Sequence, residues 1–221
     1  MGIRQVDVNG NPYVGVVCVA SDDLVLVPNE AKEEHVQLIS ETLDVPAISM
    51  TVGGTNLLGT MMAMNSTGAV VGNIISDDEL QLLSQHREVL VIHGRLNCAG
   101  NLILTNDKKA WVHPRINEQV REDIAKVLDV EVGEGDLAGM GVVGSVGCAT
   151  NKGVLVHPKA QKEELEALKG FFGVHVDIGT LNYGSPMIGA STAANSKGAV
   201  TGTASTGIEL GRLEEALDLI D

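Results

Sequence analysis

Apolar and polar positions alternate along the 221 residues in an order that returns five times. Each return opens with a fifteen-residue block: a glycine, about five apolar or small residues, a polar turn and a second apolar run. The blocks are spaced by 44, 41, 44 and 45 residues, and they are Gly15–Asn29, Gly59–Asn73, Gly100–Pro114, Gly144–Pro158 and Gly189–Thr203. A period of this length is typical of a supersecondary unit that buries its apolar face only against its neighbours.

The pattern within each repeat predicts two strands, a helix and a third strand. Turn sequences such as Asn65-Ser66-Thr67-Gly68 favour strand–turn–strand, because Asn and Ser cap turns and Gly allows a positive φ. Helical spacing of apolar residues then predicts helices over Glu30–Leu43, Asp77–Gln85, Asn117–Leu128, Lys162–Phe172 and Gly207–Ile220. Closing strands are predicted over Ala47–Val52, Val89–Ile92, Val130–Val132 and Val174–Ile178.

The fifth repeat ends after its helix, whereas a strand-like segment, Ile3–Val8, precedes the first block. We therefore expect this N-terminal strand to complete the fifth repeat and to close a ring, which would remove free sheet edges. The predicted fold is α/β: a five-bladed propeller of ββαβ repeats with pseudo-fivefold symmetry, strands along the axis and helices outside. It forms one domain over residues 1–221, with repeats at 15–58, 59–99, 100–143, 144–188, and 189–221 plus 1–14.

The composition and charge argue against some classes of function. The net charge is −14, which argues against a sequence-independent grip on nucleic acid and agrees with a basic protein partner or with simple solubility. No apolar stretch approaches the ~20 residues of a membrane span, and Met1-Gly2-Ile3 does not begin a signal peptide. We expect a cytoplasmic protein without a membrane partner.

Residues that could carry chemistry are few. The three cysteines, Cys18, Cys98 and Cys148, lack metal-ligand spacing and are expected to be buried thiols. The His-Pro pairs at His113 and His157 share one repeat position at a strand end, for which a structural role is the better explanation. No phosphate-binding loop, metalloprotease motif or nucleophile elbow is present. The sequence predicts no catalytic residue, no cofactor and no metal.

Several ordered stretches carry a family resemblance. They are Gly53–Gly59, Ala99–Lys108, Val143–Ser145, Thr150–Gly153, Gly184-Ser185, Ala194–Val200 and Thr206–Leu210. Through them the chain resembles, over its full length, the archaeal members of the translation initiation factor six family, which have the pentein fold. It departs from the eukaryotic members at Thr60, where they carry a basic residue, and this departure puts one ionic contact in doubt.

The resemblance implies a ribosome anti-association factor that works without chemistry or cofactor. Such a factor binds the large ribosomal subunit on its intersubunit face, near a ribosomal protein and the rRNA of the sarcin–ricin loop. It then prevents the small subunit from docking by steric occlusion. The implied partner is the large subunit and not DNA, and we expect a monomer.

A binding surface is predicted where the opening glycines gather at one end of the axis. The candidate residues are Gly59, Thr60, Gly100, Asn101, Gly144, Ser145, Gly184 and Ser185, with Asn56, Arg95 and Asn65 nearby. The glycines alone are explained equally well as turns towards the axis. Their polar neighbours are harder to explain in that way, because a turn does not require Asn101 or Ser185.

Two other functions stay open. Other penteins are enzymes that act on guanidino groups, and these need a thiolate nucleophile in the last repeat. Here the last cysteine, Cys148, lies in the fourth repeat, and no histidine adjoins the serines and threonines of the fifth, which disfavours an enzyme. A scaffold for another partner is the third possibility, because a fold alone does not settle function.

Overall fold

Each repeat folds into its own three-stranded sheet in the computed structural model, which describes residues 2–220. An inner strand pairs antiparallel with a middle strand, and the middle strand pairs parallel with an outer one. The inner strands are β2 (Val19–Ala20), β5 (Met62–Met64), β8 (Ile103–Thr105), β11 (Gly147–Ala149) and β14 (Thr192–Ala194). The middle strands are β3 (Val25–Pro28), β6 (Gly68–Gly72), β9 (Lys109–Val112), β12 (Gly153–Val156) and β15 (Gly198–Thr201).

The outer strands follow a long helix in four repeats. They are β4 (Ala47–Met50), β7 (Glu88–Ile92), β10 (Glu131–Glu134) and β13 (His175–Ile178), and the long helices are α2 (Glu33–Leu43), α4 (Asp77–Leu83), α6 (Glu118–Leu128), α8 (Lys162–Phe172) and α10 (Gly207–Ala216). The predicted helices are thus confirmed, α8 at both ends. Helix α2 begins three residues later than predicted, after a turn in which Ala31 N–H donates to the carbonyl of Pro28 at 2.9 Å.

The outer strand of the fifth sheet comes from the other end of the chain. Strand β1 (Gly2–Gln5) pairs parallel with β15, from Gly2 opposite Gly198 to Gln5 opposite Thr201. This is the pairing that the sequence predicted, although the strand is shorter than Ile3–Val8. Val8 instead forms an isolated bridge with Asn11 in a turn.

Short helices that the sequence did not predict open every repeat. They are α1 (Val14–Val17), α3 (Leu58–Met61), α5 (Ala99–Leu102), α7 (Val143–Val146) and α9 (Ile188–Ser191). Each contains the opening glycine, so the glycine lies in a helix and does not begin a strand as predicted. A four-residue helix is too short to show helical periodicity, so the apolar run was indistinguishable from a strand.

The opening glycines place neighbouring repeats in backbone contact. A Cβ atom on any of them would lie only 1.9 to 2.0 Å from the carbonyl oxygen of the preceding repeat's glycine, with Gly15 against Gly189, Gly59 against Gly15, Gly100 against Gly59, Gly144 against Gly100 and Gly189 against Gly144. The contacts return to their starting point. None of the five glycines has a positive φ. They are required by this close approach and not by a turn.

The recurring glycine of the middle strand has a similar explanation. A Cβ at Gly68, Gly153 or Gly198 would lie 1.9 to 2.3 Å from a carbonyl oxygen of the next repeat's long helix. These glycines also lack a positive φ, so their predicted role in the turn is wrong. The long helices therefore pack closely between sheets, and five apolar clusters fill the spaces, one of which joins Val25, Ile39 and Val200.

The sheets do not merge. The inner strands contact one another in cyclic order, but hydrogen bonds between strands stay within five separate sheets among residues 2–220. No closed sheet is present there, so the closed propeller and the removal of free sheet edges are not confirmed and stay predictions.

We expect Gly100→Ala to lower the free energy of unfolding by about 2 to 4 kcal/mol, because its Cβ would collide with the backbone of Gly59. Gly211→Ala is the control, since that helical glycine has open space and alanine should stabilise it by up to about 1 kcal/mol. Urea denaturation measures both. Equal stability of the two variants would contradict the close approach.

Removing residues 2–8 should remove most of a free energy of unfolding of about 5–15 kcal/mol, because β15 keeps only β14 as a partner and the buried Val6 and Val8 leave the core. The expected result is a strongly lowered melting temperature, and adding a synthetic peptide of residues 1–8 should partly restore it. A truncated protein that stays monomeric and melts at the wild-type temperature would show that β1 does not complete the fifth sheet.

Candidate functional site

Ten residues of the one-turn helices form a shallow surface around one end of the axis, which we call the glycine face. It consists of the five opening glycines and the residue after each, namely Val16, Thr60, Asn101, Ser145 and Ala190. The ring of glycine contacts holds this face, because each helix is fixed against the backbone of the helix before it. The face therefore combines small side chains with accessible backbone.

Two polar side chains of the glycine face bind each other. The hydroxyl of Ser145 donates to Asn101 Oδ1 at 2.8 Å, which links the third and fourth repeats. Within residues 2–220 the Asn101 side-chain N–H₂ donates no hydrogen bond, and Asn101 is only half-buried. It can therefore donate to a partner, and Ser145 fixes its orientation.

The structure brings together only part of the predicted cluster. Gly59, Thr60, Gly100, Asn101, Gly144 and Ser145 do lie together. Gly184 and Ser185 do not, because the fifth repeat contributes Gly189 and Ala190 instead. Gly184, with φ of 96°, and Ser185 belong to the turn that enters α9, where Ser185 N–H donates to the Leu181 carbonyl.

Asn65 was placed wrongly. It lies in the turn between β5 and β6, beside a cavity that the other four turns also line. Its Nδ2 donates to the Asn106 carbonyl at 3.2 Å and to the Leu128 carbonyl at 2.8 Å, and the side chain is buried. The sequence pattern did not distinguish the two ends of the axis. Asn65 fastens neighbouring repeats together at the end opposite the glycine face.

Asn56 and Arg95 lie in loops that enter one-turn helices, outside the glycine face. Asn56 Nδ2 donates to Glu30 Oε2 at 3.0 Å. Arg95 is exposed beside a cleft formed with the start of α6. Both stand at the margin of the face, because their loops lead into α3 and α5.

Two exposed apolar side chains near these loops were not predicted, Tyr183 in the loop before α9 and Ile208 at the start of α10. Tyr183 is 83% exposed and Ile208 87%, and the two line one cleft with Thr180 and Glu209. Tyr13 and Leu57 occupy the corresponding loops of the first two repeats. The rarity of aromatic residues could have indicated this surface, because only 2% of the residues are aromatic and both tyrosines of the chain lie in these loops. Exposed aromatic residues are typical of protein interfaces.

The axis itself holds a cavity of about 100 Å³ lined by the opening glycines and the inner strands. Cys18 and Cys148 line it, and burial raises the pKa of each thiol to about 12. Both are therefore protonated near neutral pH and poor nucleophiles. Of the three cysteines predicted to be buried, only Cys18 is fully buried; Cys148, at the cavity, and Cys98, in the loop before α5, are half-buried.

The histidines of the two His-Pro pairs accept hydrogen bonds from backbone N–H groups. His113 Nδ1 accepts from the Arg115 N–H at 2.9 Å, and His157 Nδ1 accepts from the Lys159 N–H at 3.0 Å. Burial, followed by the charge of Lys159, lowers the pKa of His157. Both rings cap the turn after a middle strand. Among residues 2–220 no group of three or more His, Cys, Asp or Glu side chains is placed to hold a metal ion.

The half-buried carboxylate of Glu79 fixes the loop that enters α3. Glu79 accepts the N–H groups of Gly53 at 2.7 Å and Gly54 at 3.0 Å, besides the Thr51 hydroxyl and Ser76 N–H. Burial alone would raise the pKa of Glu79, but these hydrogen bonds outweigh it and lower the pKa to about 2. Glu209 holds the loop of Tyr183 by accepting the N–H groups of Tyr183 and Gly184. Burial would raise the pKa of Glu209, but its hydrogen bonds outweigh burial and lower the pKa.

Comparison with known proteins supplies the family. The family model described as "eIF-6 family" matches residues 3–216. The chain belongs to the eIF-6 family. It is 43% identical over 219 residues to "Translation initiation factor 6" of Methanocella arvoryzae, covering 99% of each chain. It is 39% identical over 227 residues to the factor of the same name from Pyrococcus horikoshii, covering 100% of each.

The eIF-6 family relatives thus carry the name of a translation factor and not of an enzyme. One solved structure, a cysteine-to-serine mutant of DDAH from Pseudomonas aeruginosa with citrulline, is 13% identical with a TM-score of 0.48. It covers 75% of this chain and 68% of its own. A similarity this low shows nothing about function. No helix among residues 2–220 has the length and apolar character that crossing a membrane requires.

We expect Glu79→Gln to lower the free energy of unfolding by about 1 to 2 kcal/mol near pH 7. The loss is no larger because the Glu79 side chain is partly exposed and solvent screens its charge. Because the folded pKa lies below the ordinary value of 4.5, this stabilisation is present above pH 4.5 and is lost as the pH falls towards 2. Urea denaturation at several pH values measures it. Glu122→Gln, on the exposed side of α6, is the control and should change little. A stability gap between wild type and Glu79→Gln that persists unchanged at pH 2 would contradict the assignment.

Proposed function

We propose that this member of the eIF-6 family is a ribosome anti-association factor. It binds the large (50S) ribosomal subunit through the glycine face and its margin, and it blocks the small subunit by occupying the intersubunit surface. The proposal rests on family membership over residues 3–216 together with one surface built from a residue pair in every repeat, in which Ser145 is buried and the other nine residues are partly exposed.

The glycine face suits a tight contact with a large, preformed partner. Its side chains are small, and the glycine contacts leave its backbone little freedom, so binding orders few groups and more of the contact energy appears as affinity. Asn101 supplies a free side-chain donor, and Tyr183 and Ile208 supply apolar anchors at the margin. The net charge of −14 is complementary to a basic ribosomal protein, which we propose as the main partner.

Contact with rRNA is the smaller part of this proposal. The side-chain N–H₂ of Asn101, the free donor of the glycine face, can reach a phosphate of the sarcin–ricin loop. We infer that the protein acts in the cytoplasm as a monomer, without DNA, membrane, metal or cofactor. The mechanism is steric, and no residue has a catalytic role.

We also propose that the five sheets form a closed five-bladed propeller of the pentein type, with all of residues 1–221 in one domain. Two cyclic sets of contacts support it, those between the opening glycines and those between the inner strands. A turn contact also joins the fifth repeat to the first, where Asn195 Nδ2 donates to the Ser21 carbonyl at 3.1 Å. A closed arrangement explains why the glycine face is a single surface.

The enzyme alternative loses support from the same residues. A guanidino-modifying pentein needs a reactive thiolate in the last repeat, whereas Cys18 and Cys148 have a pKa of about 12 and lie in other repeats. In the fifth repeat, Ser191 and Thr201 are buried and bonded to backbone carbonyls.

Substitution of Asn101 tests the proposed surface. We expect Asn101→Trp or Asn101→Asp to weaken binding to purified large subunits by about 2 kcal/mol or more, because the change blocks the face and removes its free donor. Sedimentation measures both binding and inhibition of subunit joining. The unfolding temperature should stay close to that of the wild type.

The matched controls lie on the outer helices, at Glu122, Glu163 and Glu215, where substitution by alanine should leave both readouts unchanged. If Asn101 variants bind normally and the helix variants do not, the interface lies on the opposite side of the molecule. If the wild type does not impede subunit joining at saturating concentration, the anti-association proposal is wrong.

A further inference from the structure

The loops that enter the one-turn helices share a backbone site for an anion. In three repeats a glutamate at the third position of the long helix fills it. Glu79 binds the N–H of Gly53 and Gly54, Glu164 Oε2 accepts from Ala138 at 3.1 Å, and Glu209 accepts from Gly184 at 2.8 Å and Tyr183 at 3.2 Å. In the first repeat His35 Nδ1 takes this place, accepting from the Asn9 N–H at 3.5 Å.

The third repeat lacks this internal ligand. The third position of α6 is Val120, whose N–H is capped by Asn117 Oδ1 at 2.9 Å. The corresponding loop runs from His93 to Asn97, and none of its backbone N–H groups donates a hydrogen bond to another group of residues 2–220. This loop also lacks the bridged turn that the other four loops form, and its N–H groups have no partner within residues 2–220.

A cleft of about 190 Å³ stands where the glutamate would lie. His93, Arg95 and Arg115 line its mouth, while Ile92, Leu96, Ile116 and Val120 line its walls. Neither arginine forms an ion pair within the described part of the chain, whereas Arg87, Arg121 and Arg212 each bind a carboxylate. Two unpaired arginines at one cleft stand out in a chain with 29 acidic and 15 basic residues.

We propose that this cleft binds a carboxylate side chain of a protein partner, an Asp or Glu that is flanked by an apolar residue. The carboxylate accepts hydrogen bonds from the loop N–H groups and from Arg95 and Arg115, and the apolar neighbour packs on Leu96 and Ile116. The fold itself indicates the ligand, because three other repeats place a carboxylate at the same position.

A protein carboxylate suits the cleft better than nucleic acid does. No aromatic side chain lines it, so an unstacked base finds no stacking surface. The net charge of −14 repels a long polyanion far more than it repels a single carboxylate. The proposal does not depend on ribosome binding by the glycine face, although α5, which follows the loop, also carries Gly100 and Asn101.

The experiment is an NMR titration of the full-length protein with short capped peptides. One peptide carries a glutamate between two leucines, and its control carries glutamine in place of the glutamate. We expect the glutamate peptide to shift the backbone amide signals of residues 93–97 and of Arg115, and the glutamine peptide to bind at least about tenfold more weakly.

The decisive variant restores the missing internal ligand. Val120→Glu should occupy the loop N–H groups as Glu79 does in the second repeat, and it should weaken peptide binding at least about tenfold. Val120→Gln has the same size without the charge and should retain binding better. Arg95→Gln with Arg115→Gln should abolish binding, whereas Arg4→Gln, at an exposed arginine outside the cleft, should not.

Three results would overturn the proposal. The first is that the glutamate and glutamine peptides bind equally well, or that neither of them binds. The second is peptide binding by Val120→Glu at wild-type strength while that variant folds normally by its amide spectrum. The third is a single-stranded RNA oligonucleotide that shifts the same signals when the glutamate peptide does not, which would assign the cleft to nucleic acid.

Discussion

The contact on which the rest of the structure depends is the close approach between the opening glycine of each repeat and the carbonyl of the glycine before it. At 1.9 to 2.0 Å from that oxygen, no Cβ atom can be accommodated. Each contact fixes a one-turn helix against its neighbour, and the contacts return to the first repeat. The inner strands, the axial cavity and the glycine face all follow from where these helices are held.

The same contact explains why the proposed function needs no cleft or chemistry. Glycines leave the backbone accessible, and the residue after each glycine, such as Asn101, faces the surface from a fixed position. Glutamates such as Glu79 and Glu209 then fix the loops around the face by binding backbone N–H groups. The third repeat breaks this rule at Val120, and there the chain leaves both loop donors and arginines unpartnered.

Much of the fold could be predicted from the sequence because the signal recurs. The long helices show helical periodicity, and the strand at Gly2–Gln5 was recognisable as the piece missing from the fifth repeat. The one-turn helices could not be predicted, because four residues show no period. The structure brings only part of the predicted surface together: Asn101 and Ser145 are neighbours, whereas Asn65 lies at the other end of the axis and Ser185 lies in a turn outside the face. Those differences arose because a polar residue near a glycine looks the same at both ends of a strand. The N–H groups of the loop 93–97 are free because the third repeat has Val120 where three other repeats have a glutamate. The sequence did not show that this position contacts the loop, and the structure does.

Hydrogen–deuterium exchange of the protein, free and bound to purified large subunits, is the sharpest check on the role of the glycine contacts. We expect added protection in the one-turn helices around Thr60, Asn101 and Ser145 and in the loop of Tyr183, with no change in the outer helices α2, α6 and α8. The one-turn helices should already exchange slowly in the free protein, because the glycine contacts hold them. Fast exchange there in the free state, or protection confined to the outer helices on binding, would contradict this role of the glycine contacts.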